Sequence, residues 1–231
     1  HYPPRVLAGS LEARQFEFHP ALEDVVLIGN KKGCVRVLDV EAEEECPRPA
    51  LELDSCPVLG LVWMQHHTQT AIAGTASNGK ITFLRYDPNA GPWDCSLEAV
   101  HKAEEFPSLT SLSANCTDDF LLATGLSLSL SIYDARTGQV TQRVHGVHDH
   151  FINTGRFCNG TPHIFATASF DHTCRIWDLR QPLVKERCVR TLNTDGRNVM
   201  CIFSSDDRRL LCSGVDTRLL QFEVPSWRRT P

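Results

Sequence analysis

The stretch Ile164-Phe165-Ala166-Thr167-Ala168-Ser169-Phe170-Asp171-His172-Thr173-Cys174-Arg175-Ile176-Trp177-Asp178-Leu179-Arg180 decides how this chain is read. An apolar run ends in small residues, a polar turn follows, and a second apolar run ends on a large aromatic. Short apolar blocks bounded by Gly, Asn, Asp and Pro are the signature of strands. Helical periodicity over ten or more residues, which alternating strands and helices would require, is absent from the sequence.

Working outward, four other segments share this layout. Their second strands read Val25-Val26-Leu27-Ile28-Gly29, Ala71-Ile72-Ala73-Gly74, Leu121-Leu122-Ala123-Thr124-Gly125 and Leu210-Leu211-Cys212-Ser213-Gly214. Large residues close the third strands at Leu38, Leu84, Tyr133, Trp177 and Phe222, at intervals of 46, 49, 44 and 45 residues. Bulky ends of first strands at Phe18, Trp63, Phe157 and Phe203 precede those anchors by 20, 21, 20 and 19 residues. The third repeat is weaker, with small Ala114 at the matching place. A repeat of about 40–45 residues built only from strands is the period of four-stranded propeller blades, as in WD40 proteins. Five repeats are expected, over 14–53, 57–100, 108–144, 148–192 and 197–231.

The residues that name a family lie in the fourth repeat. His148, Ser169, Asp171 and Trp177, followed by Asp178, resemble the structural tetrad of WD40 repeats. A buried indole N–H needs an acceptor. The Ser169 hydroxyl is expected to supply it while bonding His148, with Asp171 accepting from the other imidazole nitrogen. The resemblance implies an all-β WD40 β-propeller, with about five four-stranded blades covered out of a ring of seven, and a tetrad that is structural rather than catalytic. The fifth repeat stops soon after its third strand, and the first residue is His1 rather than Met, with no basic-then-apolar leader after it. This is the expected pattern for a portion of a longer chain. An open arc of blades is expected to expose strand edges and an apolar face.

Trp177-Asp178-Leu179-Arg180 also resembles the WDxR box (DWD box) of substrate receptors for cullin-4 RING ubiquitin ligases. Phe165 to Gln181 is similar to the WD40 subunit of the UV-damaged-DNA-binding complex and to plant proteins with the same box. The resemblance implies that Asp178 and Arg180 contact the ligase's adaptor. Tyr133-Asp134-Ala135-Arg136 is a degenerate copy that puts Arg136 at the equivalent place. Guanidinium groups suit such contacts because their fork of donors matches carboxylates and carbonyls.

Composition narrows the alternatives. A net charge of −5 and a pI near 6.1 disfavour a protein that grips nucleic acid through its phosphates. The acidic run at Glu41, Glu43, Glu44 and Glu45 reads as a solvated loop. No apolar run approaches the length of a membrane span. The ten cysteines include no CxxC pair, and Cys174, Cys201 and Cys212 fall in strand-like runs. They read as reduced thiols of a nuclear or cytoplasmic protein. His145, His148 and His150, like His66-His67, carry no zinc-site spacing, so no metal or cofactor is expected. Asp118-Asp119 and Asp206-Asp207 read as hairpin turns, not as paired catalytic acids. No catalytic residue is assigned. A nucleophile elbow is missing beside the Ser, His and Asp of the tetrad. The expected function is a protein-interaction scaffold, either a cullin-4 ligase receptor or a subunit of another chromatin, RNA-processing or trafficking complex. Damaged-DNA or other nucleic-acid binding is a further alternative.

Overall fold

The computed structural model describes residues 12–40, 49–90 and 95–230. The acidic run of residues 41–45 lies outside them. Among the described residues the regular structure is β, apart from one 3-10 turn at Lys185–Arg187.

Five antiparallel sheets follow one another along the chain, each meandering in sequence order. Blade 1 comprises β1 (Ala13–Phe18), β2 (Val25–Asn30), β3 (Cys34–Asp39) and β4 (Leu51–Glu52). Blade 2 has β5 (Val58–Trp63), β6 (Thr70–Thr75), β7 (Ile81–Tyr86) and β8 (Leu97–Lys102). Blade 3 has β9 (Leu109–Ala114), β10 (Phe120–Gly125), β11 (Ser129–Asp134) and β12 (Val140–His145). Blade 4 has β13 (Ile152–Phe157), β14 (Ile164–Ser169), β15 (Thr173–Asp178) and β16 (Arg190–Asn193). Blade 5 has three strands, β17 (Asn198–Phe203), β18 (Arg209–Gly214) and β19 (Leu219–Glu223).

The first strands pack on one another in turn, β1 on β5, β5 on β9, β9 on β13 and β13 on β17. This is the radial stacking of propeller blades. No comparable contact joins β17 back to β1 among the described residues, so the blades form an open row.

Each core lies between two blades rather than inside one. Trp63 and Leu84 of blade 2 pack with Leu27, Val35 and Val37 of blade 1. Tyr133 of blade 3 packs with Ile72 and Phe83 of blade 2. Phe157 and Trp177 of blade 4 pack with Leu122, Leu130 and Ile132 of blade 3. Phe203 and Phe222 of blade 5 pack with Ala166, Cys174 and Ile176 of blade 4. The regularly spaced large residues thus face the preceding blade. Phe18 has no preceding blade among the described residues and is 57% exposed. At the far end, Met200, Ile202 and Leu219 alternate with buried neighbours and lie exposed.

Such close stacking needs small residues. A Cβ on Gly60 of β5 would lie 2.6 Å from Leu112 Cγ, and one on Gly155 of β13 would lie 2.7 Å from Leu122 Cδ2. Cys174, Cys201 and Cys212 meet in the core of blades 4 and 5 as buried thiols. The neighbouring thiols and burial push the Cys174 thiol well above the usual range, which suits a small packing residue better than a reactive one.

Candidate functional site

The polar centre of blade 4 is a chain of short hydrogen bonds. Trp177 Nε1 donates to the Thr167 hydroxyl at 2.8 Å. His148 Nε2 lies 2.7 Å from that same hydroxyl, and its Nδ1 lies 2.8 Å from Asp171 Oδ2. Asp171 also accepts from the Thr173 amide at 2.9 Å and the Asp149 amide at 3.1 Å. Buried Arg175 closes the cluster, donating to the Val147 carbonyl at 2.7 Å.

The hydroxyl between indole and imidazole therefore belongs to Thr167, not to Ser169. The register explains the correction. Trp177 is paired with Phe165, so Thr167 is its diagonal neighbour on the same face. Ser169 lies two residues further on, about 7 Å away at the strand rise. Its hydroxyl serves the turn instead, donating to the His150 carbonyl and accepting from the Asp171 amide, each at 3.1 Å.

Burial dominates at His148 and pulls its pKa below the ordinary value, against the pull of Asp171. Burial alone would raise Asp171, but hydrogen bonds from His148, Thr173 and the Asp149 amide hold its carboxyl below the usual carboxylate range.

One step beyond Trp177 the chemistry turns outward. Asp178 Oδ1 accepts from the Arg180 amide and from Arg180 Nε, both at 2.9 Å, and Oδ2 accepts from Nη2 at 2.7 Å. The Arg180 hydrogen bond is the chief cause that lowers the Asp178 carboxyl pKa. Asp178 is nearly buried while Arg180 is 63% exposed, so the box holds its guanidinium at the surface from below.

The copy in blade 3 is arranged differently. Asp134 Oδ1 accepts from the Arg136 and Thr137 amides at 3.0 and 2.8 Å. The Arg136 guanidinium makes no hydrogen bond or ion pair among the described residues and acts on Asp134 only at a distance. Both boxes are tied to their own blade's first hairpin, Ala135 N to Asp119 O and Leu179 N to His163 O, each at 2.9 Å. Arg136 and Arg180 thus stand on one rim, in adjacent blades.

The same rim holds two aspartates whose role a turn reading misses. Asp118 of blade 3 accepts from the Gln65, His66 and His67 amides of blade 2 at 2.8, 2.7 and 3.0 Å. Asp207 of blade 5 accepts from the Asn159 and Gly160 amides of blade 4 at 2.9 and 2.6 Å. Both adopt positive φ, which Asp tolerates, so they do occupy turns while stapling the neighbouring blade's hairpin. The available signal was their equal offset, four residues after Ala114 and Phe203. Among the described residues no group of three or more His, Cys, Asp or Glu is placed to hold a metal ion.

Comparison with known proteins bears directly on this blade. The family profile "WD domain, G-beta repeat" matches residues 138–178, which run from blade 3 through the tetrad to Asp178. Residues 138–178 belong to the WD40-repeat family. The chain is 35% identical to Protein DWD HYPERSENSITIVE TO UV-B 1 of Arabidopsis thaliana, over 90% of its own length and 27% of the relative's. It is 22% identical to DNA damage-binding protein CMR1 of Meyerozyma guilliermondii, over 93% of the chain and 40% of the relative. The CMR1 protein of Chaetomium globosum is 26% identical over 71% of the chain and 34% of the relative. The chain therefore spans well under half the length of these relatives. Among the described residues, no helix is long and apolar enough to cross a membrane.

Proposed function

We propose that this WD40 protein is an interaction scaffold that serves as a substrate receptor of a cullin-4 RING ubiquitin ligase. The rim carrying Arg180, helped by Arg136, docks the ligase's adaptor, and another surface selects the substrate. The observation that carries the reading is the two-point pair between Asp178 and Arg180. It presents an exposed guanidinium in a fixed orientation, lowering the entropy lost when a partner's carboxylate or carbonyl engages it. The DWD relative in Arabidopsis adds support. A nuclear or cytoplasmic location goes with this reading.

The test is co-purification of the tagged full-length protein with the adaptor from cells. Wild type is expected to bring down the adaptor and Arg180→Ala to lose most of it. Equal recovery with both forms, or none with either, removes the reading.

A second reading is favoured by the names of the CMR1 relatives, which are DNA damage-binding proteins. It predicts a shift of labelled damaged duplex that weakens steeply with salt. A receptor that works through proteins alone gives no such shift.

A further inference from the structure

Between blades 2 and 3, on the rim that carries the arginines, lies a groove of about 350 Å³. That volume falls within the range of pockets that bind ligands, about 300–1,000 Å³. Its apolar lining comes from Met64, Phe83, Leu84 and Val100. Phe83 is backed by the ring of His101, stacked at 4.1 Å, so this wall is preformed. Val100 is 56% exposed at the groove's edge, an apolar residue left facing solvent.

The charges around the groove are unevenly matched. Arg85 is paired with Glu98, and the His67 ring lies against Asp118 Oδ2 at 3.2 Å. Asp118 already accepts three backbone amides, so it has little left to offer Arg136. Arg136 lines the groove with its guanidinium unpaired among the described residues. The contrast with Arg180 is chemical. Asp178 clamps Arg180, whereas Asp134 spends its near oxygen on two backbone amides and leaves Arg136 free.

An apolar slot beside an unmatched cation fits one kind of occupant. We propose that this groove receives a short extended peptide of a partner protein in which a carboxylate adjoins a large apolar side chain. The apolar side chain enters beside Phe83 and Val100, and the carboxylate meets Arg136. This goes beyond adaptor docking through Arg180: it gives Arg136 a carboxylate partner of its own, so a peptide held in the groove competes with the help Arg136 lends to the adaptor and leaves the Arg180 contact untouched.

The test selects a random peptide library on the full-length protein, in parallel on Arg136→Gln and Val100→Glu variants whose melting temperatures match wild type. Sequences enriched on wild type are expected to place Asp or Glu beside Leu, Met or Phe, and to be lost on both variants. The best peptide, titrated by fluorescence anisotropy, is expected to weaken about tenfold when its acid becomes the amide, the scale of one charged hydrogen bond. That loss should vanish on Arg136→Gln and persist on Arg180→Ala. The proposal is overturned if nothing is enriched on wild type over the variants, if the enriched sequences lack an acid, or if Arg136→Gln leaves the acid-to-amide loss intact.

Discussion

Thr167 and Trp177 meet across β14 and β15, with the indole N–H donating to the threonine hydroxyl at 2.8 Å and the hydroxyl in turn 2.7 Å from His148. Both side chains are buried, so losing the hydroxyl leaves two polar groups without a partner in a place water does not reach. Thr167→Val is expected to destabilise the protein by about 2 kcal/mol, and Thr167→Ser much less. Ser169→Ala, which removes only turn contacts, should cost about 1 kcal/mol. Urea unfolding of the three variants checks the order. A larger loss from Ser169→Ala than from Thr167→Val would restore the serine to the centre of the tetrad.

Asp118 binds a neighbouring blade, so its removal should be felt there. Asp118→Ala is expected to cost about 3 kcal/mol, since a buried carboxylate and the amides it satisfies are parted. Hydrogen exchange at the Gln65, His66 and His67 amides should quicken in this variant while β17–β19 stay protected. Unchanged exchange at those amides would mean that the staple is dispensable.

Acid should weaken the fold through histidine before carboxylates titrate. Burial holds His19 and His148 below the ordinary value of 6.5. His19 Nδ1 accepts from the Ala21 and Leu22 amides at 3.1 and 3.0 Å, so protonation there breaks two bonds. Below about pH 6.5 the unfolded chain binds more protons than the folded one, and stability then falls with falling pH. This contribution is complete above that value and is lost as the pH drops toward the folded-state values. Melting temperatures should be level from about pH 8 to 7 and decline below about 6.5, less steeply in His19→Gln. A melting temperature that rises on acidification through this window contradicts the assignment.

Much of the fold was legible because blade packing repeats. Leu84, Tyr133, Trp177 and Phe222 recur at near-constant spacing since each fills the same space against the preceding blade, where all four are buried. Phe18 and Leu38 keep the spacing but not the burial, because burial depends on a neighbour and not on the strand that carries the residue. The site was less legible, for physical reasons. Thr167 and Ser169 share a face of β14, and only the register with β15 decides which meets the indole. Asp118 and Asp207 satisfy turn chemistry locally, so their long-range bonds leave no further mark in composition. Asp134 and Asp178 occupy matching places, yet only Asp178 grips its arginine, a rotamer difference invisible to spacing.

The most direct test of the interaction account is calorimetric titration of the purified full-length protein with the purified cullin-4 ligase adaptor. Wild type should bind, and Arg180→Ala should bind about thirtyfold more weakly, the loss of about 2 kcal/mol typical of an interface arginine that carries binding energy. Asp178→Asn, which frees the guanidinium without removing it, should fall between them. Equal affinity of wild type and a fully folded Arg180→Ala protein would contradict the claim that this rim docks the adaptor through Arg180.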